Sequence, residues 1–138
     1  MYLAKDFAAG DIVSDAALSS AYDAGSGEWL LTYAEASAEG QLNSFTITHS
    51  SLADIGTKLN SYRLFVNAYE TPGSYNVFAK YAGSGSYYSV ASGTLVAGVN
   101  EIVMTTFSTS YGSVEELVFE FDGAIVKLGI EKIVVYGG

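Results

Sequence analysis

The sequence predicts an all-β fold: an antiparallel β-sandwich of jelly-roll type with about eight strands and no catalytic machinery. Its 138 residues suit one domain, so we assign 1–138 to a single sandwich. It contains 11 Tyr and 15 Gly, a composition typical of strands joined by glycine-rich turns. Alternating apolar segments recur roughly every 8–12 residues with turn signals between them, which is the pattern of a sandwich or barrel.

Charge and composition exclude several classes of partner. The net charge is −9, so a phosphate backbone is repelled and nucleic acid is not expected as a partner. An anionic membrane surface is disfavoured for the same reason, and no apolar run is long enough to cross a bilayer. The absence of Cys excludes disulfides and thiolate metal sites. This balance suits an extracellular or particle-surface protein. Because the start, MYLAKDFAAGDIV, shows no secretory leader, we expect a cleaved leader, an excised module or leaderless export.

Strands in the first half are predicted wherever apolar residues alternate with polar ones. Thr71, Pro72 and Gly73 form a turn signal, so the two strands that flank them are predicted to pair as a hairpin. The four segments are Glu28–Ala36, Asn43–His49, Ser61–Tyr69 and Ser74–Tyr81.

Strands in the second half follow the same rule, with one irregularity in the closing segment. There Leu128 and Ile130 share a face with Ile133 and Val135 only if the alternation is interrupted at Glu131-Lys132, which predicts a β-bulge. The four segments are Ser86–Leu95, Glu101–Phe107, Glu116–Asp122 and Ile125–Tyr136.

Helix signals are weak in this chain. Ser51–Ile55 is compatible with one helical turn, and Ser14–Tyr22 is a second candidate helix.

Nothing in the sequence assembles an active site. The single histidine, His49, has no nucleophile motif or orienting carboxylate near it, and no phosphate-binding or zinc-protease motif occurs. Glycoside hydrolysis needs paired carboxylates, and the candidates are Glu35, Glu39, Glu70, Glu115, Glu116 and Glu120. A solvated strand face explains the acids of Glu116–Asp122 without a function. We therefore expect a protein that is not an enzyme.

One strand carries an unusual polar face. Arg63, Phe65, Asn67 and Tyr69 alternate with an apolar set, where a solvent-facing strand would usually carry Thr, Lys, Ser or Glu. Sugars pack their C–H faces on aromatic rings and exchange hydrogen bonds with amides and guanidinium groups, so this face predicts glycan binding. The hairpin partner would add Asn76, Phe78 and Lys80 or, in the other register, Tyr75 and Tyr81. The alternative is that loops cover both faces of the strand.

Tyrosine-rich loops form a second candidate binding surface. Tyr87 and Tyr88 follow a Gly/Ser tract, and Tyr111 lies in the segment STSYGS. Tyrosine among small residues supplies contact area at low entropic cost, as recognition loops require. The alternative is that these rings cap the ends of the sandwich.

The order of segments resembles that of jelly-roll carbohydrate-binding modules, which have a galactose-binding-like β-sandwich. The matching segments are SFTITHS, YRLFVNAYE, YNVFAKYAG, AGVNEIVM, VEELVFEF and VKLGIEKIVVYG, over roughly residues 28–138. The resemblance implies a polysaccharide or oligosaccharide ligand, extracellular location and fusion to a glycoside hydrolase. It also implies one structural Ca²⁺, for which Glu131 occupies the acidic position and Asp6 or Asp11 could join it.

One departure from that pattern favours a second hypothesis. Binding platforms of such modules usually include Trp, whereas the only Trp here is Trp29, which suits the core equally well. With mean hydropathy at +0.25, the chain also suits a structural surface protein of a virion or extracellular assembly, such as a decoration or fibre domain.

Overall fold

A computed structural model of the chain describes residues 2–14, 17–34, 40–48, 61–69, 73–104 and 114–136. These residues form eleven strands and one 3₁₀ turn, which confirms the all-β fold but exceeds the expected eight strands. The elements are β1 (Tyr2–Leu3), the 3₁₀ turn (Ala4–Asp6), β2 (Ile12–Val13), β3 (Ala17–Asp23), β4 (Glu28–Tyr33), β5 (Leu42–Ile47), β6 (Ser61–Ala68), β7 (Gly73–Tyr81), β8 (Tyr87–Leu95), β9 (Gly98–Met104), β10 (Val114–Asp122) and β11 (Lys127–Tyr136).

The strands form two antiparallel sheets that pack face to face. Sheet A has the order β3-β4-β11-β6-β9, with the short β1 also paired to β11. Sheet B has the order β2-β5-β10-β7-β8. Among the described residues, no helix is long and apolar enough to cross a membrane.

Alternate residues of each strand fill the space between the sheets. On sheet A, Trp29, Leu31 and Tyr33 of β4 are buried, and Trp29 Nε1 donates a hydrogen bond to Ser20 Oγ at 2.8 Å. On sheet B, the ring of Phe119 stacks on Phe45 at a centroid distance of 5.0 Å. Each fully buried large apolar side chain contributes about 1.5–3 kcal/mol, so this interdigitated layer dominates the stability of the fold.

The predicted hairpin across Thr71-Pro72-Gly73 is wrong. β6 lies in sheet A between β11 and β9, whereas β7 lies in sheet B between β10 and β8. Both strands bury alternate residues against the same core from opposite sides. Because alternation shows only that one face is buried, it cannot distinguish a hairpin from a crossover between sheets.

The candidate helix over Ser14–Tyr22 is also wrong, since β3 occupies Ala17–Asp23. Its backbone pairs with β4, and these ladder hydrogen bonds override a weak helical pattern. The other candidate turn, Ser51–Ile55, lies outside the described residues, as does His49.

The irregularity in the closing strand is confirmed. The register between β11 and β6 shifts between Ile130 and Lys132, and Leu128, Ile130 and Ile133 are all buried. The bulge at Glu131 is what allows residues three positions apart to face the same core. The side chain of Val135 lies outside the described part of the chain.

Candidate functional site

The outer face of sheet B carries an open groove that crosses four strands. Thr46 on β5, Val118 on β10 and Phe78 on β7 are aligned by register, and Tyr87 on β8 lies beyond them. Their neighbours in each strand point into the aromatic core, so the fold fixes the direction of these outward side chains. With about 4.8 Å between neighbouring strands, three strand spacings make the groove longer than a single sugar ring.

Two adjoining cavities make up this groove, which we call the sheet B groove. The first has a volume of about 380 Å³ and the second about 330 Å³. Phe78 and Glu120 line both cavities, so the two lie side by side. The first is lined by Thr46, Phe78, Tyr87, Val118 and Glu120, and the second by Leu42, Ser74, Tyr75, Asn76, Phe78, Glu120 and Phe121.

Polar groups in the groove retain hydrogen-bonding capacity. Among the described residues, no hydrogen bond or ion pair engages the Glu120 carboxylate, which is only partly buried. Ser89 Oγ donates to Asn76 Oδ1 at 2.7 Å, which leaves the amide Nδ2 of Asn76 as a donor. The groove therefore combines an apolar ring with one acceptor and one donor that can bind a ligand.

A second carboxylate borders the groove. Tyr87 Oη donates to Glu116 Oε2 at 3.0 Å, and Lys80 Nζ lies 3.9 Å from the same oxygen. The hydrogen bond to Glu116 raises the pKa of Tyr87, which therefore stays a neutral phenol at physiological pH. This contact fixes the Tyr87 ring at the β8 side of the groove.

The predicted binding strand, β6, lies on the other face of the molecule. Arg63, Phe65 and Asn67 point outward from sheet A, as the alternation predicted, and Tyr69 follows them. Arg63 forms an ion pair with Glu101, and Lys132 Nζ lies 4.7 Å from the centroid of the Phe65 ring. Asn76, Phe78 and Lys80, expected beside this face, belong to sheet B instead.

A buried carboxylate that the sequence analysis did not identify organises the end of the β6 face. Glu28 is only 6% exposed, and its Oε2 accepts a hydrogen bond from Asn67 Nδ2 at 3.1 Å, while Oε1 accepts one from Tyr69 Oη. A side chain at Gly129 would overlap this carboxylate, so glycine there lets Glu28 reach from β4 across β11 to β6. Lys127 Nζ lies 4.3 Å from the Tyr69 ring centroid.

These contacts help to explain why the pKa of Tyr69 is raised, and they show that the polar side chains of the β6 face already have partners within the protein. Partial burial, with the hydrogen bond to Glu28, raises the pKa of Tyr69 to about 12. Every polar side chain predicted for this strand face has an intramolecular partner, whereas Glu120 in the sheet B groove has none among the residues that the structure describes.

The tyrosines predicted to form a second binding surface do not lie together. Tyr87 lines the sheet B groove. Tyr88 points the other way, with its ring 6.0 Å from that of Tyr81 and its hydroxyl 3.3 Å from Ser84 Oγ. Tyr111 lies outside the described residues.

The acidic residues expected to bind calcium contact different parts of the protein. Asp11 Oδ2 accepts a hydrogen bond from the backbone of Ala8 at 2.7 Å, Glu131 lies 3.7 Å from Lys132 Nζ, and Asp6 is exposed on the 3₁₀ turn. Over the ranges that the structure describes, no three His, Asp or Glu side chains form a group that could hold a metal. The structural Ca²⁺ that the resemblance implies therefore stays a prediction.

The sequence alone does not reveal the groove, because its residues come from four strands. Glu120 fits a solvated strand face, and Thr46 and Val118 have no signal of their own. A usable signal was present in Phe78, an aromatic residue on the outward face of a strand, but it was assigned to the wrong sheet.

Solved structures with the same architecture include carbohydrate-binding modules. One is the structure of the CBM22-1 and GH10 modules of endo-1,4-beta-D-xylanase 10B from Clostridium thermocellum, complexed with xylohexaose. It has a TM-score of 0.69 and 14% identity, and the match covers 99% of this chain and 28% of that one. A family 29 carbohydrate-binding module gives a TM-score of 0.65 with 11% identity, covering 98% of this chain and 84% of that one. The C-terminal family 22 module of the same xylanase gives 0.64 with 10% identity, covering 99% and 92%.

This chain has the jelly-roll fold of carbohydrate-binding modules. The expected resemblance is thereby confirmed at the level of the fold. No protein-family model matches the sequence, and no curated protein does. The chain spans 28% of the length of the xylanase chain. Nothing in these comparisons supports the alternative of a virion or assembly protein.

Proposed function

We propose that the protein is a non-catalytic carbohydrate-binding module that holds a neutral glycan in the sheet B groove. The observation that carries this proposal is that the Phe78 ring and the Glu120 carboxylate line both cavities, and that no described residue pairs with this carboxylate. A pyranose can lay its C–H face on such a ring and donate hydroxyl hydrogens to the carboxylate.

Charge argues for a neutral ligand. Glu116 and Glu120 project from the same strand, and the whole chain carries −9. A uronic acid or sulfated polymer would meet repulsion from Glu120, whose carboxylate has no cation paired to it among the described residues. A neutral polysaccharide avoids this cost while still supplying hydroxyl donors.

Groove length argues for an oligosaccharide. Because lining residues extend from β5 to β8, several sugar units can contact the protein at once. Two structures of the same fold were solved with xylohexaose and cellulohexaose, which makes these two hexasaccharides the first probes to use.

Location and covalent partners are part of the proposal. We infer extracellular location and attachment to a glycoside hydrolase, because a xylanase carries a module of this fold in the same chain. The absence of enzymatic activity in this chain is likewise a proposal, supported by its similarity to isolated binding modules.

Isothermal titration calorimetry with the two hexasaccharides tests the proposal. Phe78→Ala should abolish measurable binding, and Glu120→Gln should weaken it at least about tenfold, a loss of about 1.4 kcal/mol. The matched control is Phe65→Ala, because Phe65 is also a partly buried phenylalanine on an outer face, but on sheet A. If Phe65→Ala or Tyr69→Ala abolishes binding and Phe78→Ala does not, the β6 face is the site. Failure of the unaltered protein to bind any neutral glycan contradicts the proposed function.

A further inference from the structure

Strand β3 forms a free edge of sheet A. It pairs with β4 along one side, and the order of sheet A ends at β3. Within the described chain no other strand covers its outer side, and its residues from Leu18 to Tyr22 are all exposed. A free edge presents backbone N–H and C=O groups that can hydrogen-bond another strand.

This edge lacks two of the usual protections against pairing. From Ala17 to Tyr22 the strand contains neither a charged residue nor a proline, and its one irregularity is the register shift between Ala17 and Ser19 at the start of the strand. The one charge is Asp23 at the strand end, where its carboxylate accepts hydrogen bonds from Ser26 Oγ at 2.7 Å and the Ser26 backbone at 3.0 Å. A register shift at Leu18 leaves that residue without a partner on β4, and its side chain is 70% exposed.

The side chains of β3 are complementary to a second copy of themselves. Leu18 and Tyr22 stand two residues to either side of Ser20, and both are exposed apolar residues. In an antiparallel two-fold pairing centred on Ser20, Leu18 of each copy lies opposite Tyr22 of the other, a favourable cross-strand contact.

The negative charge of the chain does not oppose this pairing at the seam. In the same register the two Asp23 residues lie at opposite ends of the ladder, six positions apart, or about 20 Å at strand spacing. That distance exceeds the screening length of about 8 Å at physiological salt. The residues between them are uncharged.

We propose that β3 pairs with β3 of a second copy, antiparallel and centred on Ser20, so that two copies of sheet A join into one continuous sheet. One pair of short strands buries less than the roughly 1,000 Å² of a stable interface, so the dimer is weak and depends on concentration. The proposal does not depend on glycan binding. If the proposed function also holds, the dimer carries two grooves and binds a polymer bivalently.

Sedimentation velocity over a concentration series up to about millimolar tests the dimer, the range being set by the small interface. The weight-average mass should rise from 14.6 kDa toward twice that value. Leu18→Lys should remain monomeric throughout, because it places a cation in each seam contact. Val96→Lys is the matched control, since Val96 is 58% exposed and distant from β3 in sequence, and it should dimerise like the unaltered protein. A monomer at every concentration, or equal effects of both variants, overturns the proposal.

Cysteine cross-linking tests the register. The chain has no cysteine, so a single introduced thiol reports one distance. Ser20→Cys should form a disulfide between copies on mild oxidation, because the two-fold axis brings the two positions within reach of a bond. Ala24→Cys, also exposed, should not, since it lies in the turn just after Asp23, and the two copies of Asp23 are already about 20 Å apart in this register. Preferential cross-linking through Ala24→Cys, or none through Ser20→Cys under conditions where the mass doubles, refutes it.

Discussion

The substitution Gly129→Ala tests whether Glu28 reaches across β11 to Asn67 and Tyr69. A Cβ at position 129 would lie 2.0 Å from Glu28 Oε1, 2.8 Å from its Cδ and 3.2 Å from its Cβ. These contacts involve most of the Glu28 side chain, so it must leave its position. Asn67 and Tyr69 then lose their shared acceptor.

The expected cost follows from the bonds that are lost. A hydrogen bond to a charged group contributes about 1.5–3 kcal/mol, and two are broken. Alanine in a strand returns about 0.5–1 kcal/mol, and the partial exposure of Tyr69 allows water to replace part of its bond. We therefore expect the free energy of unfolding to fall by about 2–4 kcal/mol, measured by urea denaturation.

Two further variants test whether the loss of stability comes from the clash between a side chain at position 129 and Glu28. Gly85→Ala is the control, because an added Cβ there meets no atom within 4 Å, and its stability should stay within about 0.5 kcal/mol of the parent. Combining Gly129→Ala with Glu28→Ala should cost less than the two single changes together, because the clash needs both side chains. Equal stability of Gly129→Ala and Gly85→Ala would refute the proposed role of glycine at this crossing.

Three further predictions concern stability. Ile133→Ala should lower the free energy of unfolding by about 2–5 kcal/mol in urea denaturation, because Ile133 is fully buried. Lys132→Ala should lower it by no more than about half a kcal/mol, and similar losses for the two variants would contradict the bulge. Burial raises the pKa of Tyr33 from 10.0 to about 12, so the folded state favours its neutral phenol. The stability from Tyr33 is therefore complete below pH 10 and lost as pH rises toward 12; Tyr33→Phe should flatten this decline in melting temperature, and an unchanged slope would count against it. Gly98→Ala, at a φ of +98°, should destabilise by about 1 kcal/mol or more in thermal melts, and a neutral effect would mean that this turn relaxes.

The sequence predicted the fold well because each strand shows its burial in its own residues. In β10, the buried Leu117, Phe119 and Phe121 alternate with outward residues, and in β11 the step from Ile130 to Ile133 indicates the bulge. Both signals are local, so neither requires knowledge of neighbouring strands.

Pairing and the site were harder to predict because they depend on distant parts of the chain. β6 and β7 follow one another, yet they lie in different sheets, and local alternation contains no information on that choice. The same error separated Phe78 from its true neighbours, Thr46 and Val118. Glu28 escaped notice because its burial depends on Gly129, about a hundred residues away.

Comparing Phe78→Ala with Phe65→Ala by calorimetry on xylohexaose and cellulohexaose tests the central claim most directly. Both positions are partly buried phenylalanines on outer strand faces, so both variants should fold with similar losses of stability. We predict that the unaltered protein and Phe65→Ala bind at least one of the two hexasaccharides with the same affinity, while Phe78→Ala shows no heat of binding. Equal binding by the two variants, or loss confined to Phe65→Ala, would contradict the assignment of the glycan site to the sheet B groove.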